Sequence, residues 1–208
     1  YTVPTGLVLG LLLALVAHRR LRGIKAFQAI FASTVATSVA VAAVVFFGLV
    51  NPKIGKFGQV SFIDLSKSDS ALRGVSLTSI WQNIGLTFVI VLAGLQAVPD
   101  QLMEAAQLDG FGPVRRLFKV TLPLISPTLL FLVVVLMIFG FQAFAPMEIL
   151  TNGDPAGSTE TLVFKIFNRQ GPSLISEGSV MALGLFGLTF VVTLIQLTIL
   201  NRRVHYGE

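Results

Sequence analysis

An all-α, polytopic membrane protein is the fold class that this sequence predicts, and three observations carry that reading. Hydrophobic residues make up 54% of the 208 and charged residues only 12%. The apolar residues come in long blocks rather than at amphipathic spacing. A bilayer crossing takes roughly 20 apolar residues, so a chain of this length holds several crossings within one transmembrane domain, residues 1–208.

The first block, residues 3–17, is shorter than a full crossing and ends at His18-Arg19-Arg20-Leu21-Arg22-Gly23. It reads as the tail of a truncated span. The chain opens on Tyr1 without an initiator Met, so it is expected to be N-terminally incomplete. The second span, about 27–50, is stopped by Asn51-Pro52, because proline lacks the backbone donor and restricts the residue before it. From Lys53 to about Arg73 the chain is rich in Gly, Ser, Lys and Asp, too polar for hydrocarbon, and reads as a short surface or amphipathic segment.

A third span covers about 75–98, a polar loop 99–123, and a fourth span 124–145. Residues 146–177, with Asn152-Gly153-Asp154-Pro155-Ala156-Gly157, carry turn chemistry. The last span, 179–200, runs into Asn201-Arg202-Arg203.

Orientation follows from lysine and arginine, which cytoplasmic loops retain on insertion. One set of alternate loops holds Arg19, Arg20, Arg22, Lys25, Arg115, Arg116, Lys119, Arg202 and Arg203 against Asp100, Glu104, Asp109 and Glu208, nine minus four, or +5. The other holds Lys53, Lys56, Lys67, Arg73, Lys165 and Arg169 against Asp64, Asp69, Glu148, Asp154, Glu160 and Glu177, a balance of zero. The loop 99–123 and the carboxyl terminus are therefore predicted to be cytoplasmic.

The same distribution assigns the basic excess to topology rather than to nucleic acid, since no basic domain stands outside the spans. Cysteine is absent, which excludes disulfide and thiol chemistry. His18 and His205 lie at opposite ends of the chain, each beside a predicted span end, and no metal site is supported.

The polar loop between the third and fourth spans holds the most specific pattern. Pro99 suits a first helical turn, Asp100 favours its amino end through the macrodipole, and Gly110 can take the left-handed geometry that ends it. Asp100, Glu104 and Gln107 share one face, while Leu102, Ala105, Ala106 and Leu108 leave the rest small or apolar, so that two adjacent alanines permit close approach of another surface. Pro113 starts a second helix with Arg115, Arg116 and Lys119, and Leu122-Pro123 is expected to turn the chain back toward the bilayer. One reading is a connection whose arginines merely set topology. The other is a rigid lever joined to spans on both sides, able to pass motion from a soluble partner into the membrane.

In register, Glu104, Ala105, Ala106, Gly110, Val120, Leu122 and Pro123 match Glu-Ala-Ala, three residues, Gly, nine residues, an apolar residue, any residue, and Leu-Pro. This resembles the cytoplasmic signature of permease subunits of binding-protein-dependent ABC importers. Val120 stands where isoleucine is usual, which keeps the apolar character. Asp109 before Gly110 is similar to the carbohydrate-uptake branch, although Phe111 replaces a small residue. Leu92-Ala93-Gly94-Leu95-Gln96, the loop from Leu150 to Pro155, and Ser158-Thr159-Glu160-Thr161-Leu162 extend the resemblance over most of the chain, toward permeases for sugars or glycerol-phosphate compounds.

The resemblance implies a type I importer permease fold in a bacterial or archaeal cell membrane. It also implies a second related permease subunit, two ATPase subunits on the cytoplasmic side and an extracytoplasmic solute-binding protein. Glu104, Ala105, Ala106, Asp109, Gly110, Leu122 and Pro123 would form the ATPase-coupling element. Catalytic residues and cofactors are not expected in this chain; ATP and Mg would be bound by the partner ATPase. In agreement, the sequence has no Gly-x-x-x-x-Gly-Lys-Ser/Thr phosphate loop: Gly55-Lys56 lacks the first glycine and is followed by Phe57.

Polar side chains inside apolar spans face a cavity or another helix. Trp81, Gln82, Asn83 and Gln142 are accordingly candidates for the solute path, where the amides would bond hydroxyls and Trp81 would stack on a sugar face. Their alternative roles are an interfacial aromatic anchor for Trp81 and interhelical hydrogen bonds for the amides. Gly6 and Gly10, and separately Gly184 and Gly187, offer small surfaces for close helix contact within the subunit or with a partner.

Two other functions compete. An ion-gradient-driven secondary transporter or channel subunit should carry ionisable residues deep in its spans, and none are found. A membrane-embedded enzyme would need a convergent nucleophile and base, whereas the spans offer scattered Ser and Thr.

Overall fold

The computed structural model describes residues 1–18 and 24–201, with side chains to residue 199. Arg19, Arg20, Arg22, Arg202, Arg203 and Glu208, which enter the orientation argument, and His205, which enters the metal-site argument, lie outside the described residues. Helices α1 (Thr2–Ala17), α2 (Ile24–Ala36), α3 (Val39–Val50) and α4 (Ser68–Gln96) are followed by α5 (Asp100–Leu108), α6 (Pro113–Leu124) and α7 (Ser126–Phe141). Two short helices, α8 (Ala145–Leu150) and α9 (Leu162–Phe167), precede α10 (Ile175–Asn201).

Helix α4 is the spine. Its 29 residues reach roughly 43 Å at the α-helical rise, longer than one hydrocarbon crossing. It begins at Ser68, seven residues before the predicted 75, because Ser70 Oγ donates to Asp64 O at 2.7 Å and fastens the first turn to the preceding connector.

Helix α1 lies along α4 through a buried stripe of Gly6, Gly10, Ala14 and Ala17. Gly6 faces Asn83 and Gly10 faces Thr87, so the two helices run parallel. A Cβ on Gly10 would stand 2.8 Å from Ile84 O and 2.7 Å from Thr87 Cγ2. Lipid offers no hydrophobic gain for helix association, and small residues supply the contact by letting backbones approach. Gly184 and Gly187, by contrast, have open space around them in this chain.

The expected continuous span over 27–50 is broken. Helices α2 and α3 are bent by 104° at Thr37-Ser38. Ser33 Oγ donates to Ile30 O at 2.7 Å, Thr34 Oγ1 to Phe31 O at 2.8 Å and Thr37 Oγ1 to Ser33 O at 3.4 Å, so hydroxyls compete for the carbonyls of the last turn. Ser38, in extended geometry, then caps α3 by accepting from Val41 N–H.

A second correction concerns the fourth span. Leu122-Pro123 does not turn the chain: helix α6 continues through them, and the 67° bend falls at Ile125, before α7. Pro123 cannot donate to the carbonyl four residues back. The register widens to a π turn over Leu117–Thr121, where Leu122 N–H reaches Leu117 O.

Two cores flank α4 along its length. One gathers Ala14, Ala17, Phe88, Leu92, Leu95, Ile125 and Leu132, with Phe27 and Phe31 packed on Phe88 at centroid distances of 6.2 and 5.6 Å. The other gathers Ala43, Val50, Leu65, Val75, Met147, Leu150 and Phe164. Predicted loop 146–177 thus holds α8 and α9, which seal the second core.

Helix α10 starts at Ile175, earlier than the predicted 179, and among the described residues buries none of its large apolar side chains; Val180, Leu183 and Phe186 are about 70% exposed. Such a helix is stable only among lipid or another subunit.

Candidate functional site

The polar elbow is built from α5, α6 and the turn between them. Pro99 adopts extended geometry as the residue before α5 rather than sitting in its first turn, and Asp100 occupies that turn. At the other end Gly110 takes φ +76°, Phe111 N–H bonds Ala106 O at 3.0 Å and Gly110 N–H bonds Gln107 O at 3.0 Å. These are the paired bonds of a Schellman stop, and only glycine takes that φ freely. Pro113 then opens α6 behind Gly112.

Side chains brace the elbow. Arg116 Nη1 donates to Gln107 Oε1 at 3.3 Å, the Arg115 guanidinium lies 4.3 Å from the Phe111 ring centroid, and Thr121 Oγ1 stands 3.9 Å from Met103 Sδ. The π turn is thereby tied to α5. Leu122 packs onto the core that holds Phe88 and Ile125, so the elbow is rooted in α1, α4 and α7.

The predicted coupling residues do not share one environment. Glu104, Ala105, Asp109 and Gly110 are exposed, whereas Ala106 is buried against its own chain and Leu122 and Pro123 are half-buried. Only one of the two alanines is free for another surface, because at helical spacing adjacent residues point about 100° apart. Large apolar side chains are also exposed on the elbow: Leu108, 89% exposed, on α5, and Val114 and Phe118 on α6. Sequence reasoning did not single out Val114 and Phe118; their spacing of four on a basic helix was the available signal.

A second feature is a cavity of about 730 Å³ between α1, α2, α3, α4 and α7. Gln82, Asn83 and Gln142 line it, with Thr34, Thr37, Ser38, Ser76, Ser79 and Thr161. No Asp, Glu, Lys, Arg or His is among its described lining residues. Gln82 Nε2 donates to Thr37 O at 3.2 Å, across the helix break, and Asn83 Nδ2 to Thr2 O at 3.4 Å. The amides therefore serve interhelical bonding and the cavity together, each keeping a carbonyl oxygen for a further partner.

Trp81 is not brought to this cavity. It sits in a separate apolar hollow with Leu9, Leu12, Val16 and Ile30, its ring 5.9 Å from Phe46, since one residue along α4 turns the side chain to another face.

Residues 6–206 match the family described as binding-protein-dependent transport system inner membrane component. The sn-glycerol-3-phosphate transport system permease protein UgpA of Yersinia pestis is 36% identical over 210 residues, covering 97% of this chain and 71% of that protein. The protein of the same description from Escherichia coli is 32% identical over 215 residues, covering 99% and 72%. Among solved structures, a bacterial ABC transporter for import of the acidic polysaccharide alginate shares the fold, with a TM-score of 0.74 at 21% identity over 97% of this chain and 78% of that one. A bacterial alginate ABC transporter in complex with its periplasmic protein, bound to an alginate pentasaccharide, gives 0.71 at 20% identity, covering 97% and 76%. With its apolar spans and polar elbow, the chain belongs to the family of binding-protein-dependent transport system inner membrane components and is a membrane-embedded permease of an ABC importer.

Proposed function

We propose that this permease forms part of the path for a sugar or glycerol-phosphate-type solute and is driven through its elbow by a separate ATPase. The observation that carries the coupling is the braced α5–α6 elbow, which exposes Glu104, Ala105 and Leu108 while Leu122 is rooted in the membrane core. In this reading Glu104 meets a basic residue of the ATPase, and Leu108, Val114 and Phe118 fill its cleft, so that ATP-driven closure moves α4 and α7 together. Catalysis of hydrolysis, with ATP and Mg, belongs to two ATPase subunits on the cytoplasmic side. A second permease completes the path, a solute-binding protein docks on the opposite face, and the carboxyl terminus is cytoplasmic.

The solute class is supported by the relatives, named for sn-glycerol-3-phosphate transport, and by the cavity. Its amides and hydroxyls suit hydroxyl groups, and Phe139 and Phe144 offer apolar surface to a sugar ring.

The test is assembly and drive. Glu104→Lys reverses the charge at the exposed face of α5; the variant permease is expected to copurify less ATPase and to lose ATP-dependent uptake in proteoliposomes. Parental assembly and uptake would remove the docking role from this helix.

A further inference from the structure

Between α3 and α4, residues 51–67 form an ordered knob rather than a loose connector. Lys53 N–H bonds Asn51 Oδ1 at 2.9 Å, Gly55 N–H bonds Asn51 O at 2.8 Å, and Phe57 N–H returns to Leu49 O at 2.9 Å. Gln59 Nε2 closes onto Pro52 O at 3.2 Å. Gly58 is buried, and a Cβ there would stand 2.8 Å from Pro52 Cα. The far end is pinned as firmly: Leu65 is 7% exposed and, with Ile63 O, closes over Gly74 of α4.

While its backbone is satisfied inward, the knob turns apolar side chains outward. Ile54 is 73% exposed, Phe62 62% and Phe57 48%. A tightly bonded turn has no internal need for three large exposed apolar residues. The Arg73 guanidinium lies 4.7 Å from the Phe62 ring centroid. Over 51–73, Lys53, Lys56, Lys67 and Arg73 oppose Asp64 and Asp69, four minus two, or +2. Asp64 is paired with Lys67 at 3.4 Å, and Lys53 and Lys56 have no ion pair among the described residues.

Height along α4 locates this surface. From Gly74, where Leu65 rests, to Gln96, the end next to the elbow, is 22 residues (96 − 74). At the helical rise that is roughly 33 Å, against a hydrocarbon thickness of about 30 Å. With α4 upright and Gln96 at one hydrocarbon boundary, the knob would stand level with the headgroup layer on the face opposite the elbow. The companion loop on that face differs: over 146–177, Lys165 and Arg169 oppose Glu148, Asp154, Glu160 and Glu177, two minus four, or −2.

We propose that residues 51–67 are a lipid-headgroup anchor, with Ile54, Phe57 and Phe62 entering the boundary between headgroups and acyl chains and Lys53 and Lys56 pairing with the phosphates of anionic lipid. Apolar side chains next to unpaired lysines, at headgroup height and between two membrane helices, are the chemistry such a surface recognises. The anchor would fix the outer end of α4 in depth while the elbow moves its inner end.

The absence of cysteine makes the experiment direct. Single variants Ile54→Cys and Phe57→Cys, spin-labelled in the assembled transporter, are placed in nanodiscs of phosphatidylcholine alone or with phosphatidylglycerol, and accessibility to oxygen and to a water-soluble nickel chelate is compared. Leu183→Cys on α10 gives the hydrocarbon reference. Both knob labels are expected to favour oxygen over the chelate, more strongly with phosphatidylglycerol. Lys53→Gln with Lys56→Gln is expected to lower retention of phosphatidylglycerol relative to phosphatidylcholine on the purified transporter, by about fivefold per charge. Labels freely reached by the chelate in both lipids would overturn the anchor. Protection that arises only when a solute-binding protein is added would overturn it in favour of protein docking. Should the double lysine variant not assemble, the two labels in the parental background still decide.

Discussion

Arg116 and Gln107 are joined across the turn of the elbow, Nη1 to Oε1 at 3.3 Å, so that two helices too short to be stable alone hold one angle. The bond is exposed and its contribution to global stability is small, about 0.5–1.5 kcal/mol. In the proposed coupling its value would lie in stiffness, carrying a push on α5 to α6 and the π turn.

Arg116→Ala is accordingly expected to leave assembly with the ATPase near parental while lowering the solute moved per ATP hydrolysed. Parallel measurement of uptake and phosphate release in proteoliposomes reads that ratio; an unchanged ratio would show that the hydrogen bond transmits nothing.

Close packing of α1 on α4 makes Gly10 intolerant of a side chain. Gly10→Leu would meet Ile84 O and Thr87, and overpacking of this kind costs about 1–3 kcal/mol. A lower melting temperature in detergent is the expected result. Gly184→Leu, with open space around it in this chain, is expected to leave the isolated permease unaffected, and loss of complex assembly in that variant would mark a partner's contact there.

Cavity amides and the neighbouring indole separate two roles. Gln142→Leu and Gln82→Leu remove hydrogen-bonding groups from the cavity lining and are expected to reduce transport of a hydroxylated solute about tenfold, taking roughly 1–2 kcal/mol per lost bond. Trp81→Phe keeps an aromatic ring against Phe46 and is expected to leave the uptake KM unchanged. A Trp81→Phe variant with altered solute preference would return that residue to the path.

Asp64 supplies a pH-dependent feature outside the spans. The Ser66 N–H, bonded to its carboxylate at 2.9 Å, holds the Asp64 carboxyl below its ordinary value of 3.8, with Lys67 assisting against slight desolvation. A carboxyl lowered on folding contributes stability above its unfolded pKa and loses it as pH falls through the folded one. The contribution of this carboxylate to the turn is expected to be fully present above pH 3.8 and to be lost as pH falls through the lower folded value. Hydrogen exchange at the Ser66 amide, corrected for intrinsic rate, reports this; protection lost well above pH 4 would contradict it.

Much of the elbow was legible in the sequence because its determinants are local. Pro99, Gly110 and Pro113 punctuate short helices, and a glycine at the left-handed position ends α5 wherever the helix is placed. The break at Thr37-Ser38 was less visible. Its apolar flanks read as one span, and the hydroxyls that divert the carbonyls are individually tolerated in membrane helices; Gln82, 45 residues away, donates to the Thr37 carbonyl.

By itself the sequence determined that the chain is helical and membrane-embedded, and that Glu104-Ala105-Ala106 to Leu122-Pro123 is a structured polar element. Composition and short-range spacing suffice for these, since a backbone in lipid must close its own hydrogen bonds and helices do so locally. Tertiary structure alone decided that Ala106 turns inward while Leu108, Val114 and Phe118 face out, that Gln82, Asn83 and Gln142 meet at one cavity and Trp81 does not, and that the chain bends at Ile125 rather than at Leu122-Pro123. Which face of a helix is covered depends on what other helices bring to it, and that is fixed by packing across long stretches of chain rather than by any residue's neighbours.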